Sequence, residues 1–151
     1  NGSSCRSPSI RDVRTAINAE EPLPEDRDLH LLMYAAVRAD LQMPTGKLAA
    51  QAGHAFTDSL VACMEADPLA ASRYIARENG GSKVVLSIPD VHRLLLAERA
   101  CREAGIPCAL VTDHGHVLPP HFDGSPVVTA LGIGPVERRK ARRILGRFRS
   151  A

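Results

Sequence analysis

The chain has 151 residues, the size of one ordinary domain and enough to bury a single core. Hydrophobic residues make up 44% and charged residues 24%, which excludes a disordered chain. No apolar run approaches the roughly 18 residues of a membrane span, which argues against a role inside a bilayer. Net charge is +2 but unevenly placed: residues 1–28 carry −2, residues 29–136 carry −2, and the last fifteen carry +6. A polyanion would therefore meet a cationic C-terminal stretch on a slightly acidic body.

Residues 1–28, with Pro8, Pro22 and Pro24 among acids, read as an N-terminal extension with room for a short helix over 11–20. No cationic start leads into an apolar stretch, so no secretory signal is read and a cytoplasmic protein is expected. Residues 29–37 form a mostly apolar run suited to a central buried strand. An Ala-rich helix is predicted over 45–65 with Thr45 as its cap. A second helix opens at Asp67-Pro68 and stops at Gly80-Gly81. Residues 82–88 read as the second strand. Pro89-Asp90 opens a third helix with Leu94, Leu95 and Ala97 inward, closed by Gly105. Strands follow at 106–112 and 126–133, joined by a loop rich in His and Pro, and Gly134-Pro135 opens a final basic helix. The order βααβαββα predicts an α/β fold. It is a single three-layer α/β/α sandwich with a mixed sheet of about four strands, the last pair antiparallel.

Cys5, Cys63, Cys101 and Cys108 have no CxxC spacing, which fits neither a disulfide framework nor a zinc ribbon, so reduced thiols are expected. Aromatic residues are 3% with no Trp, against a reader of single-stranded nucleic acid built on stacking platforms.

In the first helix, Lys47, Gln51, His54 and Asp58 fall at i, i+4, i+7 and i+11 and form one polar stripe; Leu48, Ala52, Ala55, Ser59 and Ala62 form the opposite, small-residue face. The helix dipole disfavours a cation in the first turn, so Lys47 there suits a docking anion; the alternative is an ordinary wet helix face. Gly46-Lys47 lacks the rest of a phosphate loop, and Gly132-Ile133-Gly134 lacks a dinucleotide fingerprint. Asp113-His114-Gly115-His116, with His121 and Asp123, invites a metal, but the spacing matches no helical zinc pair. If the first and third strands run the same way, Asp113 and Lys47 face each other across one cleft.

The segment Arg38-Ala39-Asp40-Leu41-x-Met43-x-x-Gly46-Lys47-x-Ala49-Ala50-Gln51-x-x-His54-Ala55 resembles the signature of the archaeal and eukaryotic (type 2) peptidyl-tRNA hydrolases. Lys83-Val84-Val85-Leu86 with Pro89-Asp90, Asp113-x-Gly115, and Thr129-x-Leu131-Gly132-Ile133-Gly134-Pro135 are similar too, in the right order. The resemblance spans roughly residues 29–149. It implies an α/β/α sandwich, usually dimeric, that cleaves the ester between a peptidyl group and tRNA with no metal and no cofactor. Lys47 then matches the essential lysine and Asp113 the loop aspartate. Gln51 and His54 match the polar positions of the first helix, and Thr129 the threonine before the glycine-rich block. Where the family commonly has Asp-Ala-Gly-x-Thr-Gln, this chain has Asp113-His114-Gly115-His116-Val117-Leu118 in a loop about three residues longer. A hydroxyl and an amide are thereby lost from the site: either His116 or Thr129 substitutes for them, or activity is weakened or redirected.

On this reading Asp113 positions or deprotonates a water, Lys47 meets the oxyanion or a phosphate, and Gln51 and His54 hold substrate or water; His54 as general base is the competing assignment. Arg138, Arg139, Lys140 and Arg142, with Arg143, Arg147 and Arg149, are expected to grip the tRNA backbone. Two alternatives remain open: a catalytically quiet tRNA-binding or interaction module on the same fold, and a metal-dependent hydrolase built on His114, His116 and His121.

Overall fold

A computed structural model of the chain describes residues 30–151. The expected extension over 1–28, with its short helix, and Leu29 lie outside the described residues. The elements are β1 (Leu31–Arg38), α1 (Thr45–Ala66), α2 (Pro68–Ile75), β2 (Ser82–Ile88), α3 (Val91–Glu103) and β3 (Cys108–Asp113). They continue with β4 (Val117–Leu118), β5 (Phe122–Asp123), β6 (Val127–Glu137), α4 (Arg138–Leu145) and β7 (Arg149–Ser150).

The main sheet has the order β3-β6-β1-β2-β7, four long strands with the two-residue β7 at one edge. β1 pairs parallel with β2, and both β1 and β3 pair antiparallel with β6. It follows that β1 and β3 run in the same direction and end at the same edge of the sheet. β1 is the predicted central strand, buried on both faces. Its residues Leu32, Tyr34 and Ala36 join the core under α3 and α4, while Ala35 and Val37 join the core under α1. Two cores on opposite faces make the three layers.

Several local expectations are corrected. Thr45 does not cap α1; Pro44 occupies that position without a side-chain cap, and Thr45 is the first helical residue. The helix that opens at Asp67-Pro68, with Asp67 accepting from the Ala70 N–H at 3.1 Å, ends at Ile75; a single 3₁₀ turn (Glu78–Gly80) follows. In α3, Leu94, Ala97 and Cys101 point inward at helical spacing, whereas Leu95 is exposed.

The largest correction concerns Gly134-Pro135, which does not start a helix. β6 runs straight through it to Glu137. A proline cannot donate to a ladder, so its place in a central strand needs an irregularity. The register with β1 shifts between Leu32 and Tyr34, and Gly134 takes a φ of 95°. The freed groups find partners, since the Gly134 N–H donates to the Pro107 carbonyl at 2.8 Å and the Ser59 hydroxyl donates to the Gly134 carbonyl at 2.6 Å.

Candidate active site

α1 and β6 run side by side in the same direction, and their contacts form a ladder. Gln51 lies on Thr129, Ala55 on Gly132, and Ser59 on Gly134. At Gly132 the approach is so close that a Cβ would stand 1.9 Å from the Ala55 carbonyl oxygen. Only a residue without a side chain lets the helix sit at this depth. The inward line of α1 is therefore Lys47, Gln51, Ala55 and Ser59 at i+4 steps, and the expected stripe divides. Gln51 turns into the core, while His54 and Asp58 stay exposed.

At the top of the ladder Lys47 forms an ion pair, through Nζ, with Asp113 Oδ2; the two side chains are only 11% and 15% exposed. Lys47 comes from the first turn of α1 and Asp113 from the last residue of β3. The parallel direction of β1 and β3 brings these two ends together. The Lys47 ammonium also lies 4.0 Å from the centroid of the Phe122 ring, itself buried. A cation over an aromatic face is worth about 0.5–2 kcal/mol, more when water is excluded. Phe122 belongs to the small hairpin β4–β5, in which Val117 faces Asp123 and Leu118 faces Phe122. His116 packs edge-on against the same ring at 5.9 Å. The loop expected between the third and fourth strands is thus partly ordered as a wall over the lysine.

Thr129 is fully buried, and its hydroxyl donates to Gln51 Oε1. Val111 pairs with Ala130 but Thr112 with Val128, so Thr129 is the extra residue of a β-bulge. Bulges re-aim side chains, and this one turns the hydroxyl onto α1. Gln51 and Thr129, expected as substrate contacts, instead hold each other below the surface. His54 and His116 are exposed, and among the described residues neither forms a hydrogen bond or ion pair with Lys47 or Asp113. Arg138, Arg139, Lys140 and Arg142 are exposed on α4, but α4 starts at the far end of β6. Val127 and Glu137 are ten residue steps apart along the strand, roughly 30 Å, so the start of α4 is remote from Lys47.

Two residues escaped the sequence reading. Phe122 was legible only as the single aromatic in a polar, proline-rich loop, the kind of residue that anchors a loop to a core. Arg38 was visible as the end of a strand but not as a tie. Its guanidinium binds Asp40 through two bonds of 3.0 and 2.6 Å and donates to the Val128 carbonyl at 2.8 Å, next to the bulge. Those bonds hold the Asp40 carboxyl below its ordinary range, with a smaller contribution from the charge of His121. Among the described residues no group of three or more His, Cys, Asp or Glu side chains is placed to hold a metal ion, so His114, His116 and His121 do not assemble one.

A sequence model of the family described as peptidyl-tRNA hydrolase PTH2 matches residues 31–151. The chain belongs to that family. It is 39% identical over 110 residues to the peptidyl-tRNA hydrolase of Methanothermobacter thermautotrophicus, covering 73% of this chain and 90% of the relative. The protein of the same name from Pyrobaculum aerophilum is 34% identical over 115 residues, covering 76% and 92%. That from Methanocaldococcus jannaschii is 30% identical over 118 residues, covering 78% and 96%. The expected family resemblance is thereby borne out. Within the described residues no helix is long and apolar enough to cross a membrane.

Proposed function

We infer that the chain hydrolyses the ester joining a peptidyl, or N-blocked aminoacyl, group to tRNA, with residues 29–151 as the hydrolase domain and 1–28 as an extension. Family membership supports the reaction. The observation that carries the residue assignment is the Lys47–Asp113 ion pair, largely withdrawn from water at the mouth of the α1–β6 ladder. Ester hydrolysis needs an oriented water, a place for its proton and a charge for the oxyanion. Asp113 Oδ2 is taken by the ammonium, leaving Oδ1 to orient a water and accept its proton as the water oxygen bonds to the carbonyl carbon. The ammonium has three N–H groups, so those not on Asp113 meet the oxyanion, whose charge is felt strongly in a partly desolvated site. When the tetrahedral species collapses, the bond to the ribose oxygen breaks and that oxygen leaves with the proton.

Gln51 and Thr129 act as positioning residues that hold α1, and with it Lys47, against β6. Phe122 shields one side of the ammonium. His54 and His116 are assigned to contacts with substrate, and the basic C-terminal stretch to the tRNA body. The resemblance also implies a homodimer acting in the cytoplasm. Val61 and Met64 on α1, with Leu69 and Ile75 on α2, are exposed apolar residues that a second copy would cover.

Ester release from N-blocked aminoacyl-tRNA tests the reading. Lys47→Ala and Asp113→Ala should each lower kcat by about 10²–10³ while the protein stays folded and still binds tRNA. Release should be indifferent to EDTA. Undiminished turnover in Lys47→Ala would overturn the mechanism, and loss on chelation would return attention to the histidines of the hairpin.

A further inference from the structure

α3 descends from the end of β2, and α4 climbs back from the end of β6, so the two helices run in opposite directions on the face of the sheet away from α1. Between them lies a groove of about 250 Å³ with three arginines on its walls, Arg93 from α3, Arg143 from α4 and Arg147 just beyond it. The rest of its lining is apolar, from Leu96, Ala97, Ala100, Ile144 and Phe148. Asp90, Glu98 and Glu103, the acids in or next to α3, are already engaged. Asp90 caps the helix through the Arg93 N–H, Glu98 pairs with Arg102, and Glu103 pairs with Arg99. The guanidinium groups of Arg93, Arg143 and Arg147 have no ion-pair or hydrogen-bond partner among the described residues.

We propose that this groove binds the sugar-phosphate backbone of tRNA and sets the path of the tRNA body across the α3–α4 face. The proposal rests on the hydrolase reading above and adds the surface that reading leaves unspecified. Three like charges around one groove repel unless an anion joins them, and planar guanidinium forks match phosphate oxygens. A small inorganic anion would leave the apolar lining unused, whereas a run of phosphates joined by riboses offers charge to the arginines and sugar faces to the apolar side chains. Direction also agrees. Arg93 lies in the first turn of α3, three residues beyond Asp90, and Arg147 precedes the strand whose Arg149 pairs with Ser87 of β2. Since Ile88 of β2 is level with Arg38 of β1, this end of the groove opens at the sheet edge that carries Lys47 and Asp113. The start of α4, with Arg138, Arg139 and Lys140, lies at the other edge and is not part of the groove.

The test compares two substrates. One is N-blocked aminoacyl-tRNA; the other carries the same acyl group on a short oligonucleotide of the tRNA 3′ end. Arg93→Glu/Arg143→Glu, and the milder Arg93→Gln/Arg143→Gln, should raise KM tenfold or more, and severalfold, for full tRNA only. The dependence of log affinity for deacylated tRNA on log salt should flatten by about 1–2 units. A control pair on the α2 side, Arg73→Glu/Arg77→Glu, should leave that KM within twofold. An equal KM rise for both substrates, or an equal rise from the control pair, would overturn the groove. So would unaltered tRNA affinity in variants that lose binding to phosphatidylserine vesicles or to an acidic peptide. If the unmodified protein releases neither ester, the hydrolase reading fails, and deacylated-tRNA binding still decides the groove.

Discussion

The two ends of the sheet differ in what they take out of water. Where β1 and β3 finish, Lys47 and Asp113 are largely buried against each other and under Phe122. At the opposite end a cavity of about 580 Å³ opens between α2, the end of β6 and the turn before β3. It has charge of its own, in Arg73, Arg77, Lys140, Asp67 and Glu137. There, however, Arg73, Arg77, Lys140 and Asp67 are exposed, Asp67 is spent on capping α2, and Glu137 stands 4.0 Å from Arg139. Charges in bulk water interact several-fold more weakly than the same charges partly withdrawn from it. Room alone would favour the far end. Desolvated charge, placed by two element ends, favours the end proposed above as the active site.

Three substitutions sharpen that contrast. The largest effect is expected from Gly132→Ala, which sets a methyl group against the Ala55 carbonyl and forces α1 off β6. Stability in urea should fall by about 3 kcal/mol, and kcat by tenfold or more, because the helix that moves carries Lys47. Normal kcat in a stable Gly132→Ala protein would detach the site from the seat of α1. Thr129→Val comes next. It leaves the buried Gln51 oxygen without its donor, at about 1–3 kcal/mol, with a severalfold loss of turnover that Thr129→Ser restores.

The smallest effect belongs to the far end, where the Tyr74 hydroxyl donates to the Ser82 carbonyl at 2.9 Å. Tyr74→Phe should cost about 1 kcal/mol and leave kcat alone. It also carries a pH signature. Burial pushes the Tyr74 phenol up to about 12, against about 10 in the unfolded chain. The folded state keeps the proton the unfolded state gives up. The stability due to the neutral phenol is therefore complete below pH 10 and is lost as pH rises through about 12. Denaturation midpoints between pH 9 and 12 should fall more steeply for the native chain than for Tyr74→Phe. A parallel fall would remove Tyr74 from the account.

Much of this was legible in residue order because the signals were local. The apolar run ending at Arg38, the Asp67-Pro68 and Asp90 helix starts, and the β2 boundaries at Ser82 and Ile88 depend on neighbours in the chain. What the reading lacked was contact across elements. Gln51 looks like part of a wet stripe until Thr129, a bulge residue 78 positions on, comes to meet it. Gly134-Pro135 reads as a helix start because a proline in a central strand is improbable, and only the register shift opposite Met33 makes room for it. Phe122 depended on the hairpin folding over Lys47, and Arg38 on the reach of its side chain to β6. Strand direction predicts that Lys47 and Asp113 face each other across one cleft; in the fold the two are in direct contact as an ion pair.

The missing side chain at Gly132 also bears on transplanting the proposed site. A scaffold chosen only for positions that accept a lysine and an aspartate at suitable spacing would carry an ordinary residue under the helix. The helix would then ride higher by about the thickness of a methyl group, beyond the roughly 0.5 Å within which a designed site must be held. The portable unit is therefore larger than its two charged residues. It includes a strand stripped to backbone beneath the third turn of the helix, and a designer would have to build that shallow seat before placing a single functional group.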